Sequence, residues 1–275
     1  ALRAKNISSA NASLHIMDSS AGGDGGGIFC EHVTASQSQV AIRRTSAQTQ
    51  GGAIFLETLD MDSSQMSLEN SFGQEGGCMF ALSTLRIMGE LKLNRCLARH
   101  AGGGVFVKAG DLHLEDLEAK TCRASDGTGG GLWVGAGSVH LSNASFEDCS
   151  ASNGRALRAN GTVNVLSLVQ LGQPEAAGFF VTNEKKDCLE VQTLTCPKGS
   201  GERRDGDAIG CYYLCQPGFT RLTSDGNDPC VECPAEPTRS CTSTRLELQA
   251  GFMVTITDPK NLSNWYRCPN SKACP

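Results

Sequence analysis

Five near-identical pentapeptides restrict what this chain can fold into more than anything else in it. Gly25-Gly26-Gly27-Ile28-Phe29, Gly51-Gly52-Ala53-Ile54-Phe55, Gly76-Gly77-Cys78-Met79-Phe80, Gly102-Gly103-Gly104-Val105-Phe106 and Gly129-Gly130-Gly131-Leu132-Trp133 follow one another at spacings of 26, 25, 26 and 27 residues. Gly154-Arg155-Ala156-Leu157-Arg158 is a degenerate sixth copy, and Ala1-Leu2-Arg3-Ala4 reads as the tail of another. A fixed period of this size marks a stacked repeat architecture, in which no unit can bury its apolar face alone.

Within each copy the apolar residues alternate. Counting the first glycine as zero, position three reads Leu2, Ile28, Ile54, Met79, Val105, Leu132, Leu157, and position five reads Ala4, Cys30, Leu56, Ala81, Val107, Val134, Ala159. Residues two apart on a strand share a face, so both rows are expected to point into one core. Position four then points outward, and it reads Arg3, Phe29, Phe55, Phe80, Phe106, Trp133, Arg158. A second ladder lies later in each unit: Leu14/Ile16, Val40/Ile42, Met66/Leu68, Leu91/Leu93, Leu117/Ala119, Ala144/Phe146. It is followed by the row Ser19, Thr45, Ser71, Cys96, Cys122, Cys149, and then by the small residues Ala21, Ala47, Gly73, Ala98, Ala124, Ala151.

About two dozen residues holding two or three short strands are too few for a four-stranded propeller blade. They suit one coil of a parallel β-helix. The L-x-x-L-x-L-x-x-N frame of a leucine-rich repeat is absent. The expected fold is all-β: a right-handed parallel β-helix (a pectin-lyase-like solenoid) of about seven coils over residues 1–172. At a strand spacing of about 4.8 Å it would be a rod on the order of 30 Å long. The paired glycines fit a tight corner where φ is positive or backbones approach closely.

Composition excludes several classes. The net charge is −5 over 275 residues, without the basic face that phosphate recognition needs, so no nucleic-acid partner is expected. No run of 18 apolar residues exists, so no membrane span is expected within this segment. Because the chain opens inside a repeat, it is expected to be part of a longer one. Fourteen cysteines and five N-x-S/T sequons (Asn6, Asn11, Asn143, Asn160, Asn261) point to an oxidising, extracellular or cell-surface setting with candidate glycosylation at those asparagines.

Gly51-Gly52-Ala53-Ile54, together with Phe146-Glu147-Asp148-Cys149 and Leu93-Asn94-Arg95-Cys96, resembles the G-G-A-[ILV] and F-x-x-N halves of the polymorphic outer membrane protein repeat. That repeat occurs in autotransporter adhesins and large protist surface proteins. The resemblance covers residues 1 to about 160 and implies a surface β-helix. Cysteine stands where the family has asparagine, which removes the strong hydrogen-bonding ladder an asparagine row would make.

Residues 173–187 break the pattern with Pro174-Glu175-Ala176-Ala177-Gly178 and Glu184-Lys185-Lys186-Asp187, and read as a linker or cap. Residues 188–275 then carry Cys188, Cys196, Cys211, Cys215, Cys230, Cys233, Cys241, Cys268 and Cys274 on a thin apolar background. Such a module needs disulfides to hold it together, and its connectivity cannot be read from spacing. Cys215-Gln216-Pro217-Gly218-Phe219 with Cys230-Val231-Glu232-Cys233 resembles the C-x-P-G-[FY]…C-x-x-C pattern of ephrin-receptor-like and EGF-like extracellular modules. A zinc knuckle from Cys211, Cys215, Cys230 and Cys233 is the competing reading. In the rod, Cys96, Cys122 and Cys149 should stack, either as buried thiols or with one vertical disulfide. Cys30 and Cys78, two coils apart, should not meet.

Parallel β-helices often carry polysaccharide lyases and hydrolases, which use carboxylates on neighbouring strands. Here the N-T-D, D-D and G-H-G strings of polygalacturonase-like hydrolases are absent. Asp60 and Asp62 share an outward face with no acid at the matching place on the next coil. His113 and His140 should stack outward on adjacent coils; a two-histidine metal site is conceivable, and two exposed polar residues are the default. The glycine run Gly22 to Gly27 lacks the nonapeptide period of a calcium roll. The outward row Phe29, Phe55, Phe80, Phe106, Trp133 is the candidate binding stripe, unless it is covered or lies in the core.

The expected protein is therefore a non-catalytic adhesion, structural or recognition module of a larger surface or secreted protein. Its partners would be other surface proteins or glycans, with no catalytic residues, metal or cofactor. A carbohydrate-active β-helix enzyme, and a receptor ectodomain that binds through its cysteine-rich tail, are the alternatives.

Overall fold

The computed structural model describes residues 1–165, 169–171, 189–196, 200–205, 208–220, 230–234, 238–242, 245–250, 252–254 and 265–268. It is all-β, with a parallel sheet wound into a solenoid of about six turns. The expected seven coils correspond to seven rungs: Leu2 pairs with Ile28, Ile28 with Ile54, Ile54 with Met79, Met79 with Val105, Val105 with Leu132, and Leu132 with Leu157. Seven stacked rungs enclose six turns.

Three apolar ladders bound the core. The first follows the glycine motif and the third contains Val40/Ile42 and its equivalents, where the alternation placed them. Between them runs a ladder that the alternation reading did not separate out. It comprises Val33/Ala35, Leu59/Met61, Leu85/Ile87, Leu112/Leu114 and Val139/Leu141, each pair in register with the next. From Leu59 to Leu141 these side chains are at most 3% exposed. Each large aliphatic side chain so buried contributes about 1.5–3 kcal/mol. Strands such as Thr58–Glu75 and Leu85–Ala101 run through two of these faces without interruption.

The bends between faces use left-handed backbone. The first glycine of the motif has φ of +65° at Gly51 and +62° at Gly76, a region that costs other residues steric strain. A second bend precedes the Ser/Thr/Cys row, and there the left-handed residue is not glycine. Arg44, Asn70, Arg95, Thr121 and Asp148 have φ between 51° and 53°. The bend swings the following side chain inward, and Thr45 and Ser71 share a 2.8 Å hydroxyl hydrogen bond inside the rod. β-Branched Thr121 is the residue worst suited to this geometry. Thr121→Asn keeps the backbone N–H bond to the Glu147 carbonyl (2.8 Å) and is expected to stabilise the rod by up to about 1 kcal/mol, read from urea midpoints.

The sheet also continues past residue 172. Val169–Leu171 pairs with the Ala144–Phe146 rung, and Leu189–Thr195 pairs in parallel with Leu157–Val165, Leu189 opposite Leu157 and Val191 opposite Ala159. The strand that follows the Pro- and charge-rich segment therefore adds a rung to the rod, although it carries no glycine motif. Its alternation of Leu189 and Val191 was the only signal of this. The remaining described tail is made of two-stranded antiparallel units: Ser200–Asp205 with Ala208–Cys215, Phe219–Thr220 with Val231–Glu232, Thr238–Thr242 with Arg245–Leu248, and Phe252–Val254 with Trp265–Arg267. Such hairpins are marginal alone, and disulfides supplement them. No helix among the described residues is long and apolar enough to cross a membrane.

Candidate functional site

One outward row per face carries the candidate chemistry. On the first face Phe29, Phe55, Phe80, Phe106 and Trp133 form a continuous stack. Successive ring centroids are 5.0, 5.3, 4.8 and 4.2 Å apart, and interplanar angles are no more than 12°. The Arg3 guanidinium lies over Phe29, 4.8 Å from its centroid, a cation–π cap on the end of the column. The rings point away from the main core as the alternation requires, yet they are not equally open. Phe80 is 1% and Phe106 6% exposed, packed with Leu82 and Ala101 into a second small apolar cluster. Phe29, Phe55 and Trp133 keep part of their surface in water.

On the second face the outward row runs Ser8, Thr34, Asp60, Arg86, His113, His140, Asn164. Asp60 is ion-paired with Arg86 (2.8 Å) on the next coil, and Asp62 stands opposite Met88. His113 and His140 are stacked at 4.3 Å with an interplanar angle of 3°, and Asn164 Nδ2 lies 3.5 Å from His140 Nδ1. Among the described residues no group of three or more His, Cys, Asp or Glu side chains could hold a metal ion. Burial, and then the neighbouring His140, push the His113 pKa below the usual histidine value; Arg86 adds to this and Asp111 opposes it. The unfolded chain thus binds a proton more readily than the rod does. This part of the stability is present above the ordinary histidine pKa of about 6.5 and is lost as pH falls below it. His113→Gln is expected to flatten the decline in Tm between neutral and mildly acidic pH.

The third face holds an acidic pair that the reading centred on Asp60 and Asp62 missed. Glu90 and Asp116 are opposite one another on adjacent coils, with Gln65 below and Asn143 above. They line an open polar groove of about 550 Å³ together with Ser63, Glu118 and Ser145. Each lies 14 residues after the first glycine of its motif, Gly76 or Gly102, and that constant offset was the available signal. All three acids have partners: Glu90 with Lys92 (2.5 Å), Glu118 with Lys120 (2.8 Å), and Asp116 accepting from Asn143 Nδ2 (2.8 Å).

The sequon asparagines Asn6, Asn11, Asn143 and Asn160 are exposed; Asn261 lies outside the described residues. Elsewhere the rod's opening at its first coil is an apolar mouth of about 260 Å³ lined by residues such as Leu2, Ile7, Leu14 and Ile28.

The cysteines divide three ways. Cys78 is disulfide-bonded to Cys96, 18 residues later in the same coil, with Cα atoms 5.2 Å apart. Cys96 was therefore correctly stacked with its row but bonds across the coil, not along the stack. The same offset recurs one coil on, where a Cβ built on Gly104 would come within 3.4 Å of Cys122 Sγ. Cys30, Cys122 and Cys149 are free thiols. In the tail, Cys215 pairs with Cys230 and Cys233 with Cys241, and Cys196 and Cys268 are also disulfide-bonded. The ligands a zinc knuckle would need are thereby consumed. Cys188 and Cys274 lie outside the described residues, and the backbone of Cys211 lies in the strand Ala208–Cys215. Between Cys215 and Cys230 the Gln216-Pro217-Gly218-Phe219 turn closes with Phe219 N donating to Gln216 O (3.0 Å) and Gly218 at φ +89°.

The fold and these rows define a disulfide-bearing β-solenoid. No family model matches the chain, and neither a curated protein nor a solved structure matches it.

Proposed function

We propose that this chain is a non-catalytic extracellular module that works by surface recognition, with the aromatic column as its contact face. The observation that carries the reading is the register of that column: one aromatic ring per coil over five coils, stacked within 5.3 Å. The buried middle of the column, Phe80 and Phe106, stabilises the rod, while the open ends at Phe29, Phe55 and Trp133 offer aligned apolar edges that suit the ring faces of sugars or the apolar side chains of another surface protein. The disulfides support an oxidising compartment, and exposed sequons support a secreted or cell-surface setting. The resemblance to surface β-helix repeats and to ephrin-receptor-like or EGF-like modules points the same way.

Contact falls to Phe29, Phe55 and Trp133, because Phe80 and Phe106 are already covered. Phe55→Ser with Trp133→Ser is expected to lower attachment of the purified chain to cell surfaces or immobilised glycans by on the order of tenfold per ring, about 1.4 kcal/mol each. The far-ultraviolet circular dichroism should stay unchanged. Attachment that survives both substitutions in the full chain, and that persists in a separate variant lacking residues 1–196, would shift binding to the cysteine-rich tail. A catalytic reading rests on the Glu90–Asp116 groove. Product release from uronate polysaccharides that disappears in Glu90→Gln would replace recognition with hydrolysis or elimination.

A further inference from the structure

We propose that Cys122 and Cys149 are a convertible dithiol, which a low-molecular-weight disulfide oxidises to a Cys122–Cys149 bond joining two successive coils while Cys78–Cys96 stays intact. The two thiols occupy the same inward row on neighbouring coils. Arg123 and Ser150, the residues that follow them, are bridged in parallel, and Ser150 N donates to the Cys122 carbonyl at 2.9 Å. Equivalent Cα atoms at a strand spacing of about 4.8 Å fall inside the disulfide range. Parallel Cβ vectors at that spacing are slightly too far apart for a bond, so one partner has to move. Cys149 is placed to do so: it follows the left-handed Asp148 and lies beyond the end of the strand Val139–Glu147.

One of the two sulfurs already leans that way. Cys149 Sγ points back to the coil of Cys122 and donates to the Ala119 carbonyl at 3.6 Å, while Cys122 Sγ donates to the Lys120 carbonyl at 3.6 Å. Cys122 is fully buried, whereas Cys149 retains some exposure. The adjacent Cys122 thiol holds the Cys149 pKa below its ordinary value, against burial and the nearby Asp148 and Glu147 carboxylates; Cys149 and burial in turn raise Cys122. Access and acidity therefore select the same nucleophile. Cys149 thiolate attacks one sulfur of the reagent, forming a mixed disulfide and expelling one thiolate. Cys122 then loses its proton and attacks Cys149 Sγ, expelling the second thiol. The protein loses two hydrogens and the reagent disulfide is reduced to two thiols. Cys30 has no such neighbour; it is buried, and its thiol is pushed up to about 11 by that burial and by Glu31.

The test treats the folded full chain with oxidised glutathione and maps peptides without reduction. The expected result is a new Cys122–Cys149 cross-link, a mass lower by two hydrogens, and a Tm that rises and falls back with dithiothreitol. Cys122→Ser, which installs the serine this row already uses at Ser71, should stop at one glutathione on Cys149. Cys149→Ser should leave Cys122 unmodified. Unchanged Cys122 and Cys149 in the wild type, glutathione retained on Cys149 without closure, or a Cys96–Cys122 link formed by exchange with the existing disulfide would each overturn the proposal.

Discussion

Gly77→Ala is expected to prevent the rod from folding. A Cβ at this position would sit 2.2 Å from the Gly103 carbonyl oxygen of the next coil and 2.4 Å from the Leu97 carbonyl carbon. Both are backbone atoms with no side-chain freedom to yield. The coil would have to lift off its neighbour, breaking the hydrogen bond from Gly77 N to Gly102 O (3.0 Å) and the ladder beyond it. A loss above about 4 kcal/mol is expected, a large share of the roughly 5–15 kcal/mol that holds a domain folded. The effect should recur at Gly52, where the added carbon would lie 2.1 Å from the Gly77 oxygen. Gly22 and Gly23 supply the control, since nothing lies within 4 Å of a Cβ there. Alanine at either is expected to change stability by less than about 1 kcal/mol. Circular dichroism and urea titration of these variants decide the matter; a Gly77→Ala protein that melts close to wild type would mean that the coils are not in close contact.

The second large effect concerns the bond across the coil. Replacing Cys78 by alanine and Cys96 by serine gives this coil the residues that the preceding one uses at Ala53 and Ser71, so packing is preserved while the cross-link is lost. Closing a loop with a sequence separation of 18 restricts the unfolded chain by about 3 kcal/mol. The double variant should lose that amount, with a lower Tm that no longer responds to reduction within the rod. If its stability equals that of the oxidised wild type, either the bond is strained enough to cancel its entropic benefit or the thiols are reduced in the protein as isolated. A mass measurement distinguishes these two.

Much of this was legible because a strand has a period of two and the coil a period of about 26. Ile28 through Leu157 could be assigned to the core, and Phe29 through Trp133 to the face away from it, since a slip of one residue would have exchanged every pair; Leu2, expected in the same row, is 42% exposed because no coil among the described residues covers it. The middle ladder, Leu59/Met61 to Val139/Leu141, was harder to see. Register shifts between Asp62 and Ser64 and between Leu114 and Asp116 blur its spacing relative to the next ladder. The rung at Leu189–Thr195 was lost because the intervening segment interrupts the count, and stacking does not require a constant one.

The candidate sites were less accessible. The sequence alone determined which side chains point inward, how long a coil is, and that rings, histidines and cysteines would each stand over their own kind. Those properties follow from local alternation repeated at a fixed interval. Only the tertiary structure decided that Leu82 and Ala101 pack over the middle of the aromatic column, that Glu90 and Asp116 face a groove while Asp60 is ion-paired with Arg86, and that Cys96 bonds Cys78 instead of Cys122. The cover over the column and the Cys78–Cys96 bond depend on distances across the coil or around a corner, between residues that no repeat relates, whereas Asp60–Arg86 and Glu90–Asp116 are same-row neighbours whose contacts and surroundings depend on how the coils stack.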